Sequence, residues 1–297
     1  MSSTLLGTFY GLGAVLMWAG YITFARQGVT GGLHPVDFLV LRYVVAGAVM
    51  AVWLARHDWR TLARVGWGRG GALAACVGPP FILTGIGGYV FAPLSHGAVV
   101  QPTVAALVGV TAATLLLREP LTRSKAVGTA LIVGGIGLVA LAAPSVPAPD
   151  AWIGDILFAA AGTLFATFTI LVRRWRVTPL GATAAVSVIS MLVVLPIVPF
   201  TDTLARLANL PPLLLVSQAV IQGVLSGLLA VIAFARAVEL LGAGTAALFP
   251  ALLPAVAMAL GIPVTGEWPG PLEWLGAALA SLGLAAATGA FSRRAKA

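Results

Sequence analysis

The chain has 297 residues, 60% of them apolar and only 9% charged, with a mean hydropathy of +1.03. A soluble globular chain carries about 25% charged residues, so water is excluded as the main solvent. The net charge of +8 falls in short clusters between apolar runs, a membrane-topology pattern rather than the single basic face that nucleic acid selects.

Nothing is charged from Met1 to Ala25, from Gly70 to Leu117, from Val177 to Thr201, or from Leu207 to Ala235. A helix needs about 20 apolar residues to cross a hydrocarbon core of about 30 Å. Breaks at Gly, Pro, His and charges then predict an all-α integral membrane protein of ten transmembrane helices. They fall near 5–25, 36–55, 71–91, 95–117, 124–142, 152–172, 180–199, 212–235, 242–263 and 272–291.

The first span lacks a basic n-region and reads as a span rather than a cleaved signal. It carries Trp18 and Tyr21, three apart at mid-span, with Arg26 just beyond. The second opens on Pro35 and Asp37 and holds Arg42 about two turns in, where pairing with Asp37 or snorkelling to the surface offsets a cost of about 2.5–3.5 kcal/mol. Tyr89 near the end of the third span, and Gln101 in the fourth, are expected to line an outer mouth. Between them APLSHGA makes a tight turn, with His96 a helix-start polar group. Pro102 then interrupts the fourth helix and Glu119 follows it. A proline inside a helix removes a hydrogen bond, which a membrane tolerates where neighbours or cavity water satisfy the freed carbonyl; Pro102 is a candidate hinge.

The sixth span carries Thr163, Phe165, Thr167 and Phe168. The eighth carries Gln218, Gln222 and Ser226 at intervals of four, hence on one face that must avoid lipid. Interhelical hydrogen bonding and a water-filled cavity both meet that demand, and the mid-span position of Gln222 favours the cavity. Arg236 and Glu239 form a surface pair at its end. Pro250 is the second candidate hinge, in the ninth span, and Glu267 follows that span with no basic cluster around it in sequence. The GxxxG pairs at Gly7–Gly11 and Gly223–Gly227 favour close helix approach within the chain.

Orientation follows from the basic residues. With a cytoplasmic N-terminus, the inner side holds Arg56, Arg60, Arg64, Arg69, Arg118, Arg123, Lys125, Arg173, Arg174, Arg176, Arg236, Arg293, Arg294 and Lys296. The outer side holds only Arg26 and Arg206, so both termini are expected to be cytoplasmic, in a bacterial-type inner membrane.

The chain also repeats itself. A shift of 148 residues brings Pro102 onto Pro250, Glu119 onto Glu267, Gly128 onto Gly276 and Gly135 onto Gly283. A shift of 147 brings Gly7 onto Gly154, Trp18 onto Phe165, Tyr21 onto Phe168 and Arg26 onto Arg173. Five spans is an odd number, so the second copy enters from the other side: repeats at 1–146 and 147–297 are inverted. Inverted repeats are the plan of secondary transporters, with substrate near the midplane between the halves. Trp18 and Tyr21 are expected to face Phe165 and Phe168 there, with the threonines and glutamines binding polar groups.

The stretches QPTVAALVGVTAATLLLREPLTRSKAVGTALIVGGIGL and FPALLPAVAMALGIPVTGEWPGPLEWLGAALASLGL, with Pro35 and Arg42 in HPVDFLVLRY, resemble the EamA-type branch of the drug/metabolite transporter superfamily. The resemblance covers nearly all ten spans and departs at Trp268 and Pro269, where the first half has Pro120 and Leu121. It implies a 5+5 inverted fold and export of small metabolites, with amino-acid exporters of the YddG kind as its nearest branch.

No GxxxxGK[ST], HExxH or GxSxG occurs, and three scattered histidines with the single Cys76 offer no metal cluster. No cofactor, metal or catalytic residue is expected. The reading is a carrier of small amphipathic metabolites, amino acids above all, working by alternating access as a monomer or weak homodimer in the lipid bilayer. A channel-like facilitator and an intramembrane enzyme are the alternatives.

Overall fold

The computed structural model describes residues 2–116, 122–142, 148–246 and 248–287. Glu119, Arg118, Arg293, Arg294 and Lys296 lie outside the described residues. Among those described, every regular element is a helix.

Seven helices are long and apolar enough to cross a membrane. They are α1 (Ser3–Thr30), α2 (Pro35–Arg56), α3 (Trp67–Phe91), α4 (Leu94–Leu116), α5 (Arg123–Leu141), α6 (Ala151–Trp175) and α8 (Pro212–Leu241). Three shorter apolar helices stand where the seventh, ninth and tenth spans are expected: α7 (Pro179–Val194), α9 (Leu253–Thr265) and α10 (Pro271–Ala287). Prolines at first-turn positions open α2, α7 and α8, where the missing N–H is no loss. Thr122 and Thr178 cap α5 and α7 through their hydroxyls. Gly266, at φ 73°, closes α9 and turns the chain so that Glu267 points back into the bundle.

The two prolines aligned by the repeat differ in setting. Pro102 lies inside the continuous α4, where the Thr103 hydroxyl donates to the carbonyls of Val99 and Val100 at 2.5 and 3.1 Å. Pro250 lies in the separate turn Leu248–Ala251, which precedes α9.

The main helix contacts follow one rule. α5 packs on α10 and α2 on α7; α4 packs on α6 as α9 does on α1; α8 packs on α1 as α3 does on α6; α3 packs on α7 as α8 does on α2. Exchanging the two halves of the chain carries each of these contacts onto itself or onto another. Three of the four GxxxG glycines serve this packing. A Cβ on Gly7 would stand 2.6 Å from Leu241 and one on Gly11 2.5 Å from Phe249, while one on Gly223 would meet Val45 at 2.8 Å.

Two stretches depart from the α-helical repeat. Val40–Val44 in α2 and Ala219–Leu229 in α8 wind as wider π-type turns, and they pack on each other. Such turns free backbone carbonyls from the ordinary ladder and recur at functional sites.

Candidate functional site

The π-type turns of α2 and α8 meet around Arg42. Its Nη1 donates to Ser226 Oγ at 2.8 Å and to the Gln222 carbonyl at 3.3 Å. Its guanidinium lies over the Tyr21 ring at 4.9 Å and near the Tyr43 ring at 5.9 Å, within the range of a cation–π attraction. Asp37 does not pair with it, contrary to expectation. The two side chains leave α2 toward different neighbours, Asp37 toward Arg206 and Arg42 toward α8. Asp37 instead binds Arg206, with Nη2 at 2.7 Å from Oδ1 and Nε at 2.9 Å from Oδ2. The same carboxylate accepts from the His34 amide at 2.9 Å, closing a capping box on α2. The bonds to Asp37 hold the Arg206 guanidinium above its ordinary pKa.

The Gln218, Gln222 and Ser226 stripe is fully or almost fully buried, and it is spent mainly on the protein. Gln218 Nε2 donates to the Phe24 carbonyl at 2.7 Å. Gln222 Nε2 donates to Gln218 Oε1 at 3.3 Å and to the Tyr21 carbonyl at 3.5 Å. Ser226 Oγ donates to the Gln222 carbonyl at 2.9 Å. The face therefore ties α8 to α1, and one acceptor there, Gln222 Oε1, is buried without a donor.

A second group gathers on α3, α4 and α6. Phe165 and Phe168 lie 6.2 Å apart, and Phe165 is also 6.2 Å from Phe81. Thr163 and Thr167 return their hydroxyls to the helix, at the carbonyls of Ala159 and Thr163, both 2.9 Å. Gln101 is half-buried, and its amide oxygen approaches the Gly85 backbone, where a Cβ would stand 3.4 Å away. It donates to none of the described residues. Trp18 is not in ring contact with this group: its ring partner is Phe234 of α8, at 5.4 Å. The expected aromatic quartet is thus two separate sets: Trp18 and Tyr21 on α1, facing Phe234 and Arg42 respectively, and Phe165 with Phe168 on α6.

Tyr89 belongs to neither set. It is buried against Phe158 at 4.8 Å, and its carbonyl joins an ionic cluster at the helix ends. There Arg26 Nε donates to Glu267 Oε1 at 2.5 Å and Nη1 to the Tyr89 carbonyl at 2.5 Å. Glu267 Oε2 accepts from the Leu94 amide at 2.8 Å. Next to it Ser95 donates to Glu273, which also accepts from the Gly270 amide at 2.6 Å. His96 Nδ1 lies 2.8 Å from Asp155. The turn 92–98 is therefore held by three carboxylates, Glu267, Glu273 and Asp155, all from the second half. Sequence reasoning left Glu267 without a basic partner; Arg26, 241 residues away, is that partner. The one available signal was that both fall on the same side of the predicted topology. At the opposite end the Arg236–Glu239 pair forms as expected, exposed, at 2.7 Å.

The EamA-like transporter family matches the chain twice, over residues 5–141 and 152–289. A solved crystal structure of a protein superposes with a TM-score of 0.62 at 18% identity, covering 98% of this chain and 99% of that one. At that identity the likeness concerns the fold. Among curated proteins none matches the sequence.

Proposed function

The chain belongs to the EamA-like transporter family, and on that premise we propose that it carries small amphipathic metabolites, amino acids above all, out of the cell. It crosses the bilayer ten times, as inverted repeats at 1–146 and 147–297, with both termini cytoplasmic in an inner membrane. Access alternates between the two faces, with Pro102 and Pro250 as hinges.

The observation that carries the inverted arrangement is the reciprocal seating of α5 and α10. Gly128 meets Gly283 and Gly135 meets Gly276, whereas the repeat aligns Gly128 with Gly276 and Gly135 with Gly283. First position against second position is what two antiparallel, symmetry-related helices produce. Inversion places the substrate between the halves. The side chains of both sets then divide into apolar and polar parts. Phe165, Phe168 and Trp18 offer apolar surface, while Gln101, with an amide that no described residue engages, reads polar groups. Thr163, Thr167 and Tyr21 border the same path, Gln218, Gln222 and Ser226 shape its wall, and Tyr89 anchors its outer end. The ion pair Arg26–Glu267 ties the first half to the second, which suits an outer gate closed in this state.

The test is counterflow in proteoliposomes with a panel of labelled amino acids, repeated for Trp18→Ala and Gln101→Ala. The expected result is uptake above empty vesicles that both variants weaken. No uptake of any panel member removes the reading; unaltered uptake in both variants removes the site.

A further inference from the structure

Arg42 does more than the carrier reading asks of it. A charge two turns inside a span is expensive and is kept where it is paired or functional. Of the other buried charges, Arg26 pairs with Glu267 and Asp37 with Arg206, and Glu273 is met by the Ser95 hydroxyl and the Gly270 amide. Among the described residues no carboxylate forms an ion pair with Arg42. Its two closest hydrogen bonds go to neutral acceptors and both leave from Nη1, the Tyr43 hydroxyl is a further neutral neighbour, and no described carboxylate engages the Nε–Nη2 edge of the fork. That edge is the one that matches the two oxygens of a carboxylate in parallel bonds.

The group is also held in place rather than free to snorkel. Tyr21 lies beneath it, Tyr43 beside it, and the wide turn of α8 presents a backbone carbonyl and a serine hydroxyl to one nitrogen. Arg42 is only partly buried, as a solute-binding group must be. Nor does the repeated fold require a charge here: α7, the counterpart of α2 in the second half, contains no charged residue. We infer that Arg42 binds the carboxylate of the transported solute, so that the protein selects carboxylate-bearing amphipathic molecules over their amides and amines. This rests on the carrier reading above and narrows its substrate class.

The experiment is counterflow of labelled L-phenylalanine in proteoliposomes, with 3-phenylpropanoate, L-phenylalaninamide and 2-phenylethylamine as competitors. In wild type the carboxylate is expected to compete at least tenfold better than the amide or the amine. Arg42→Gln is expected to abolish that preference, and Arg42→Lys to keep only part of it. Arg236→Gln, the same charge change at the exposed Arg236–Glu239 pair, is expected to retain it. Wild-type protein that moves phenylalanine yet prefers the amide or the amine, or shows no preference, overturns the inference and leaves the carrier reading standing. So does Arg42→Gln with the preference intact. Should Arg42→Gln not fold, Arg42→Lys decides: an unchanged preference there overturns the inference, because a lysine cannot reproduce the fork. Wild type that moves neither labelled phenylalanine nor labelled leucine overturns both.

Discussion

Gly135 and Gly276 are in reciprocal contact: a Cβ on Gly135 would stand 2.7 Å from the Gly276 carbonyl oxygen, and one on Gly276 2.8 Å from the Gly135 carbonyl oxygen. Neither partner is the far end of a flexible side chain, so neither can move aside without moving its helix. Gly135→Ala is therefore expected to destabilise the bundle by about 1–3 kcal/mol, the range for overpacking. Gly134→Ala is the control, since nothing lies within 4 Å of a Cβ there, and alanine favours the helix. Thermal unfolding in detergent should show a lower midpoint for the first and an unchanged or higher one for the second.

The Arg26–Glu267 pair is almost fully buried on both sides, at 10% and 7% side-chain exposure. Removing one member of such a pair leaves an uncompensated charge and costs about 3–5 kcal/mol, more than removing both. Glu267→Ala is thus expected to destabilise more than Arg26→Ala/Glu267→Ala together. Denaturation midpoints of the single and double variants measure this; additive losses would mean that the two side chains do not act as a pair.

These two relationships differ in how far the chain announces them. The glycines of α5 and α10 were legible because helix packing needs small residues at fixed spacing, and the spacing recurs after 148 residues. Arg26 and Glu267 are separated by nearly the whole chain, and no local pattern marks a pair that forms only when α1 and α9 are neighbours. Arg42 was legible as a costly charge, but its partners were not. The wide turn at Ala219–Leu229 depends on tertiary packing, and without it the Gln222 carbonyl would be spent within α8. The Gln218–Gln222–Ser226 stripe illustrates the ambiguity of polar faces in lipid: spacing dictated that they face inward, but not whether they meet a helix or a cavity. The ring partner of Trp18 belongs to the same class, since mid-span position excludes the interface and says nothing about which aromatic lies opposite.

Asp37 is fully buried, and its charge is met by Arg206 from the short helix Thr203–Ala208. Arg206→Ala leaves that carboxylate with only the His34 amide and the Thr203 hydroxyl, so a loss of about 3–5 kcal/mol is expected. Arg206→Lys restores charge without the bidentate fork and should recover part of it. Unfolding midpoints across the three proteins give the order wild type, lysine, alanine; an alanine variant as stable as wild type contradicts the pairing.

Pro102 lies in a continuous helix, where proline costs about 3 kcal/mol relative to alanine. If α4 bends there during transport, Pro102→Ala should raise the unfolding midpoint while slowing turnover and leaving the half-saturating substrate concentration near its original value. A variant that is stabilised and transports at the original rate removes Pro102 as a hinge.

Alternating access requires that the end carrying Arg26 and Glu267 open once per cycle, because these residues join α1 to the start of the Gly266–Gly270 connection. A bridge between those two positions should therefore stop transport, whereas a channel open along its length would continue to conduct. Cys76 is the chain's single cysteine, so Cys76→Ala gives a thiol-free background into which Arg26→Cys and Glu267→Cys are placed. A flexible, reducible bis-thiol reagent is expected to abolish counterflow in the double variant and not in either single one, with recovery on reduction. The unbridged double variant fixes the baseline, since it already lacks the ion pair and should open this end more readily. Full counterflow after complete bridging would rule out movement at this end and, with it, the gating role of the pair.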